Sequence, residues 1–402
     1  MLQVCARIMA ALSAVLARFV RVVASASLVG VLLGAVACGG NKSKDELLKP
    51  APLVDFESEQ RLKKVWSRGI GDGQGKKFNR LQPALDGEYI YAVDVDGRVY
   101  ALERTSGKTV WKARVKETIT GGVGAAGGVV VVGSANGEVF ALDQYTGEQL
   151  WQTSVGSEVL APPATDGDMV VAQTFDGGLV GLSAYSGEEV WRYSSQTPIL
   201  SLRGTAAPVI DGVRTYAGFA NGRMVSAQVD SGVINWEGRV ALPKGDSEIE
   251  RIVDVDGSPL VADSGIYAAS YQGRVVSLDP QSGRPRWAQD ASSYVTLAEG
   301  FGNVYVAQSD GSVLALDQRT GTVRWENGAL SNRQLSGPVT FGSYLAVADY
   351  QGYVHILSQV DGEFVARKKL GSKGVRAPLL AADEIIYVLG NKGKLAAYRI
   401  RE

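Results

Sequence analysis

His355 is the only histidine in the 402-residue chain, and the only cysteines are Cys5 and Cys38. Zinc centres draw on several imidazole or thiolate ligands, and a Ser-His-Asp set needs a histidine beside a serine. His355 stands in "GYVHIL", at the place that comparable segments give to Tyr100 and Phe140, so it reads as a strand-packing residue. "GIGDGQGKK" (69–77) has the glycines of a phosphate loop. However, Ile70 occupies the first glycine position of Gly-x4-Gly-Lys-Ser/Thr and Lys77 the hydroxyl position. It reads as a flexible loop into a strand. "DVDG" at Asp94–Gly97 and Asp254–Gly257 opens like a calcium loop without continuing in its spacing. No catalytic, cofactor-binding or metal-binding residue is identified, and the chain reads as a non-enzyme without a cofactor.

Cys38 has a chemistry of a different kind. Residues 1–37 contain Arg7, Arg18 and Arg21 but no acid, then an apolar stretch from Val22 to Ala37 that suits a secretory leader better than a membrane span. Met9 is an alternative start. Ala35 and Ala37 ahead of Cys38 match a lipobox, in which the thiol takes a diacylglycerol and the cysteine becomes the first residue; a plain leader ending at a cysteine is the alternative. The polar run "GGNKSKDE" that follows suits a flexible tether, expected over 38–59. Gly39, where an aspartate would retain a Gram-negative lipoprotein inside, favours the outer membrane, with the body facing the periplasm. Without the leader, 365 residues remain with a net charge of about −4 and, once Cys38 is acylated, no free thiol. Burial alone must hold such a chain, and nucleic acid is excluded as a natural partner.

What would position any site is a repeat. "ALERTSGKTVW" (101–111) returns as "ALDQYTGEQLW" (141–151), "GLSAYSGEEVW" (181–191), "SLDPQSGRPRW" (277–287) and "ALDQRTGTVRW" (315–325). Aligning on Gly97, Gly137, Gly177, Gly222, Gly273, Gly311, Gly352 and Gly393 gives eight units, spaced by 40, 40, 45, 51, 38, 41 and 41 residues. Six units place a tryptophan four residues after a second glycine: Trp111, Trp151, Trp191, Trp236, Trp287 and Trp325; Ala366 takes that place in the seventh. Asp-Gly and Asn-Gly pairs mark tight hairpins, and a period near 40–45 marks four-stranded blades. The fold class is therefore all-β, an eight-bladed β-propeller over residues 60–402. Trp66 precedes the first unit without the strands that should lead to it, and the last unit stops after three strands. The N-terminal strand is expected to complete the last blade and close the ring.

Such a repeat on eight blades also resembles the quinoprotein dehydrogenases, which hold pyrroloquinoline quinone on the propeller axis. Those enzymes are larger, many use a vicinal disulfide that this chain lacks, and no calcium ligand set or axial base can be assembled here. The departures from the repeat are more telling, because binding residues gather on loops held by a rigid frame. The long spacings place insertions at 194–208 and 241–259, both between an outer strand and the next inner strand, so they should stand side by side on one face. The first carries Leu200, Leu202 and Arg203; the second carries Glu248, Glu250, Asp254 and Asp256. This reads either as apolar anchors with an arginine and a carboxylate rim, or as two loops fastened by Arg203 to Asp254 or Asp256 with the leucines tucked beneath.

The lipobox, the eight units, "LSLRG" (200–204), "EIERIVDVD" (248–256) and "GYVHILSQVDGEFVA" (352–366) together resemble the BamB family, propeller lipoproteins of the outer-membrane β-barrel assembly machinery (the Bam complex). The resemblance spans the chain after the leader. It implies an eight-bladed propeller anchored to the outer membrane by a lipid, here on Cys38, that binds the periplasmic POTRA domains of BamA. It also implies that Leu200, Leu202, Arg203, Asp254 and Asp256 carry that contact, and that nascent outer-membrane proteins are possible further partners, through blade edges.

Overall fold

The computed structural model describes residues 49–401, apart from 59, 77, 78, 203, 205 and 372. The expected leader, Cys38, the start of the tether and Arg203 lie outside the described residues.

Every regular element among the described residues is a β-strand. Blade one shows the pattern: β2 (Ala84–Asp86), β3 (Tyr89–Val93), β4 (Arg98–Glu103) and β5 (Thr109–Arg114) pair antiparallel in that order, from axis to rim. The middle strands are buried on both faces and read as near-continuous Val, Ala, Ile and Tyr, whereas β5 alternates. The β3–β4 turn needs Gly97, at φ +79°, where a Cβ would lie 2.3 Å from the Val115 carbonyl. Six more blades repeat the order at 119–154, 164–194, 209–239, 260–290, 298–327 and 339–369. Their outer strands are β9 (Gln149–Ser154), β13 (Glu189–Ser194), β17 (Ile234–Arg239), β21 (Pro285–Asp290), β25 (Val323–Asn327) and β29 (Phe364–Lys369). The core lies between blades: Tyr91, Val93, Val99 and Trp111 of blade one pack with Val130, Val132, Phe140 and Leu142 of blade two.

The eighth blade closes the ring as the sequence predicts. β30 (Leu380–Ala382), β31 (Ile385–Leu389) and β32 (Lys394–Arg401) come from the C-terminus, and β1 (Arg61–Gly69) pairs with β32 from Arg61 opposite Arg401 to Gly69 opposite Lys394. Both chain ends are thereby used to remove an open edge.

The tryptophans explain the repeated phrase. Trp66, Trp111, Trp151, Trp191, Trp236, Trp287 and Trp325 each send the indole N–H to a carbonyl in the next blade's outer turn, at 2.7–3.1 Å. Each ring also lies against that turn's glycine: Gly107, Gly147, Gly187, Gly232, Gly283, Gly321 and Gly362. Only a residue without a Cβ leaves room, and at Gly187 a Cβ would sit 2.6 Å from Trp151 Cδ2. Blade eight has no such turn, because its outer strand comes from the other end of the chain. A tryptophan in blade seven would have no glycine to cover, and Ala366 stands there, buried.

Residues 51–56, read above as part of the tether, lie against blade seven and the connection entering it. Ala51 N–H donates to the Ser331 carbonyl at 2.8 Å, and its carbonyl accepts from Arg333 Nη1 at 2.7 Å. Val54 O accepts from Arg367 Nη1 at 2.8 Å. The Phe56 ring stacks on Phe364 at 5.5 Å, with the Arg367 guanidinium 4.9 Å from each ring. These arginines belong to a buried network. Asp349 accepts from Arg333 Nε at 2.7 Å and from His355 Nε2 at 3.1 Å, while His355 Nδ1 accepts from Arg367 Nε at 3.1 Å. Arginine can only donate, so His355 is held neutral with its proton on Nε2. Burial keeps its pKa below the ordinary value against the pull of Asp349. His355 is thus the packing residue expected, and it also orients a clamp.

Candidate functional site

In each blade, the turn between the two middle strands and the connection to the next blade lie at the same end of the strands, hence on one face; Val115 N–H to Gly97 O and Ile119 N–H to Val95 O show the contact. Both insertions are such connections: 195–208 joins β13 to blade four, and 240–259 joins β17 to blade five. They touch directly. The backbone N–H of Leu202 donates to Asp254 Oδ2 at 2.5 Å, and Gly204 passes so close to Asp256 that a Cβ would lie 2.8 Å from its Oδ2.

The carboxylate rim read from the sequence is divided by this geometry. Asp254 is fully buried and Asp256 nearly so, while Glu248 and Glu250 are exposed. Connections between blades must turn sharply at the axis, so "VDVDG" is drawn inward with Val253 and Val255 in the core. Glu250 caps its own turn, accepting from the N–H groups of Asp246 and Ser247 at 2.9 and 3.1 Å. Burial, reinforced by the charge of Asp256, raises the Asp254 carboxyl to about 7 despite the Leu202 hydrogen bond. Burial raises Asp256 to about 6, against the attraction of Arg80. Among the described residues, Asp254 on the Leu202 backbone fastens the two loops.

The two leucines face different surroundings. Leu200 is 43% exposed and stands with Ile199 at 89%, Leu242 at 53% and Ile249 at 65%, an unusual concentration of aliphatic surface on two loops. Leu202 is half-buried at the mouth of an axial cavity of about 730 Å³ that Arg80, Asp256, Tyr271, Tyr294 and Arg376 also line. Arg80 lies 5.0 Å over the Tyr294 ring and donates to its carbonyl at 3.0 Å. Sequence reasoning missed this cavity, because its walls come one or two residues at a time from many blades.

The other candidates resolve into structure. In the 69–77 loop, Gln74 is buried and clamps the backbone of Leu81 through both side-chain atoms, at 3.1 and 2.6 Å, while Gly73 packs on Gly393. The loop carries the chain inward from rim to axis. Asp72, Asp94 and Asp96 do converge, but Arg98 Nη1 sits among them at 2.9, 2.6 and 3.4 Å and fills the place of a cation. No acidic ligand cluster lies at the axial cavity among the described residues, so the donors that would hold a metal-bound quinone are not gathered there.

A family model described as outer membrane protein assembly factor BamB matches residues 18–113, 95–327 and 309–402. The chain is 54% identical over 376 residues to the outer membrane protein assembly factor BamB of Pseudomonas aeruginosa, which covers 94% of this chain and 98% of that protein. The crystal structure of BamB from Moraxella catarrhalis is similar with a TM-score of 0.77 and 33% identity, over 84% of this chain and 99% of that one. The quinohemoprotein alcohol dehydrogenase of Comamonas testosteroni is also similar, with a TM-score of 0.67 over 84% of this chain and 76% of that one. At 14% identity that likeness concerns the fold alone. On the family match and the near-complete coverage at high identity, the chain belongs to the BamB family of outer membrane protein assembly factors, which are accessory proteins and not enzymes.

Proposed function

We propose that the protein is a lipid-anchored scaffold of the Bam complex at the outer membrane, facing the periplasm, and that its insertion face docks the POTRA domains of BamA. In this reading residues 1–37 are removed and Cys38 carries the lipid, with the propeller over 60–402 tethered behind it. The observation that carries the reading is the pair of touching loops that turn Ile199, Leu200, Leu242 and Ile249 to solvent. Leu200 supplies apolar contact and Arg203 charge pairing with the partner. Leu202, Asp254 and Asp256 act largely from beneath, by fixing the path of the "LSLRG" loop. Docking orients the POTRA domains and speeds the delivery of nascent β-barrel proteins, and no cofactor takes part.

Arg203→Glu tests this. Co-purification with BamA is expected to be lost while the circular-dichroism melt stays that of the parent protein. Retention of BamA would refute the role of the loop, and a collapsed melt would assign Arg203 to holding the fold.

A further inference from the structure

The rim of the propeller is electrically lopsided. β29 carries Arg367, Lys368 and Lys369; β1 carries Arg61, Lys63, Lys64 and Arg68; β5 carries Lys112 and Arg114. These are the outer strands of three consecutive blades, seven, eight and one, and none contains an acid. The other five outer strands are neutral in sum. β9 has no charge, and β13, β17, β21 and β25 each match one arginine with one acid. Chance placement of an excess of acids over bases in the whole protein would not produce such an arc.

Three features show that this charge is not spent inside the fold. Among the described residues, none of the nine cations makes an ion pair, whereas Arg192, Arg286 and Arg324 on the outer strands of blades three, five and six do. Across the ring-closing pairing, Arg61 lies opposite Arg401 and Lys63 opposite Arg399. Like charges directly opposite in a sheet are destabilising, so the seam that seals the ring is weakened by them. Between blades seven and eight the arc deepens into a groove of about 820 Å³ lined by Arg61, Lys63, Lys64, Lys368 and Arg401. Arg367 is committed to the clamp, through Val54 and His355, and Arg68 donates to the Ser67 carbonyl, but no carboxylate neutralises either.

We propose that the rim of blades seven, eight and one is a binding surface for the anionic headgroups of a phospholipid membrane. Several observations favour a membrane over an acidic protein. The cations extend over three blades, beyond the groove between blades seven and eight. Val65 and Val110, 40% and 44% exposed, stand among them and suit an interface that is apolar as well as anionic. The ammonium groups of Lys112 and Lys369 rest over the rings of Tyr100 and Tyr353, at 5.0 and 4.9 Å, so aromatic surface lies among the cations without neutralising them. The N-terminal chain is fixed on blade seven, and Cys38 is eleven residues before Lys49. Eleven residues reach about 40 Å at most, even fully extended. The proposal rests on the lipid-anchor reading in this respect: an acyl chain on Cys38 would hold this rim, before any other, near the bilayer.

The test uses the chain from residue 38 onward without acyl groups, since the ring is closed entirely by residues after 60. It is sedimented with phosphatidylglycerol vesicles and with phosphatidylcholine vesicles. Binding is expected to the first and not the second, and it should vanish at about 1 M salt, where charges are screened beyond about 3 Å. Lys63→Glu/Lys64→Glu on blade eight and Lys112→Glu/Arg114→Glu on blade one should each weaken partitioning at least about tenfold. Arg284→Glu/Arg319→Glu, the same charge change on exposed turns of blades five and six, should leave it unaltered. With two reversal pairs on separate blades, a folding failure in one leaves the other to decide. Absence of binding to phosphatidylglycerol, equal loss in the control variant, or binding of polyglutamate in place of vesicles would each overturn the proposal. Neither lipid anchor nor BamA is present in this assay, so its failure would leave the docking reading standing.

Discussion

Trp151→Ala is expected to lower the unfolding free energy by about 4 kcal/mol, among the largest single losses available outside the inner strands. The ring is buried, touches the Gly187 backbone and gives its N–H to Ala184 O at 2.7 Å. Truncation therefore opens a void between blades two and three and leaves a buried carbonyl without its donor. Gly187→Ala attacks the same joint from the other side. Its φ of +74° disfavours any side chain, and the new Cβ would overlap the indole. A cost of about 3 kcal/mol follows from strain and overlap together. The two changes should be strongly sub-additive, because the space vacated by the indole accommodates the added methyl. Urea unfolding of both single variants and the double variant checks this. Additive losses would mean that the tryptophan and the glycine are not one joint.

The second expectation concerns pH. Asp254 and Asp256, with carboxyls raised to about 7 and about 6, hold protons in the folded protein that the unfolded chain releases near pH 4. More protons are bound folded than unfolded across that window, so this contribution is present at the acid side and is lost as pH rises from about 4 through about 7. Asp254→Asn keeps an acceptor for the Leu202 N–H without the charge. It should match the parent protein most closely near pH 4 and gain about 2 kcal/mol over it by pH 8, less than the isolated shift implies because Asp256 titrates with it. Denaturant midpoints at the two pH values give the answer. An advantage that does not change with pH would show that Asp254 is already ionised throughout. The same substitution should leave the "LSLRG" loop in place, whereas Asp254→Ala removes its fastening.

The architecture was legible because the repeat writes local chemistry at fixed intervals. Gly97 and its counterparts mark turns that need positive φ, and Trp111 and its counterparts mark joints between blades. Even the exception, Ala366, has its cause in the position of the chain ends. The two insertion loops were legible as departures in spacing, but not the direction their side chains take. Asp254 and Asp256 are polar residues in an insertion, which by composition belong at a surface. Their burial depends on the sharp turn at the axis and on a backbone N–H from another blade's loop, 52 residues away. The axial cavity and the clamp on residues 51–56 were hidden for a related reason. Arg333 meets Ala51 across 282 residues, and no local pattern announces a contact of that separation.

That clamp has a mechanical consequence. β1 is the keystone of the ring, yet it is also the strand nearest the end of the chain by which the protein would be held. A tug arriving from residue 49 does not reach β1 first. It is met by Arg333, Arg367 and the Phe56–Phe364 stack, whose bonds must shear before any strain passes to the seam with β32. In the proposed lipid-anchored state, a pull on the N-terminal chain would therefore load this clamp before the ring seam.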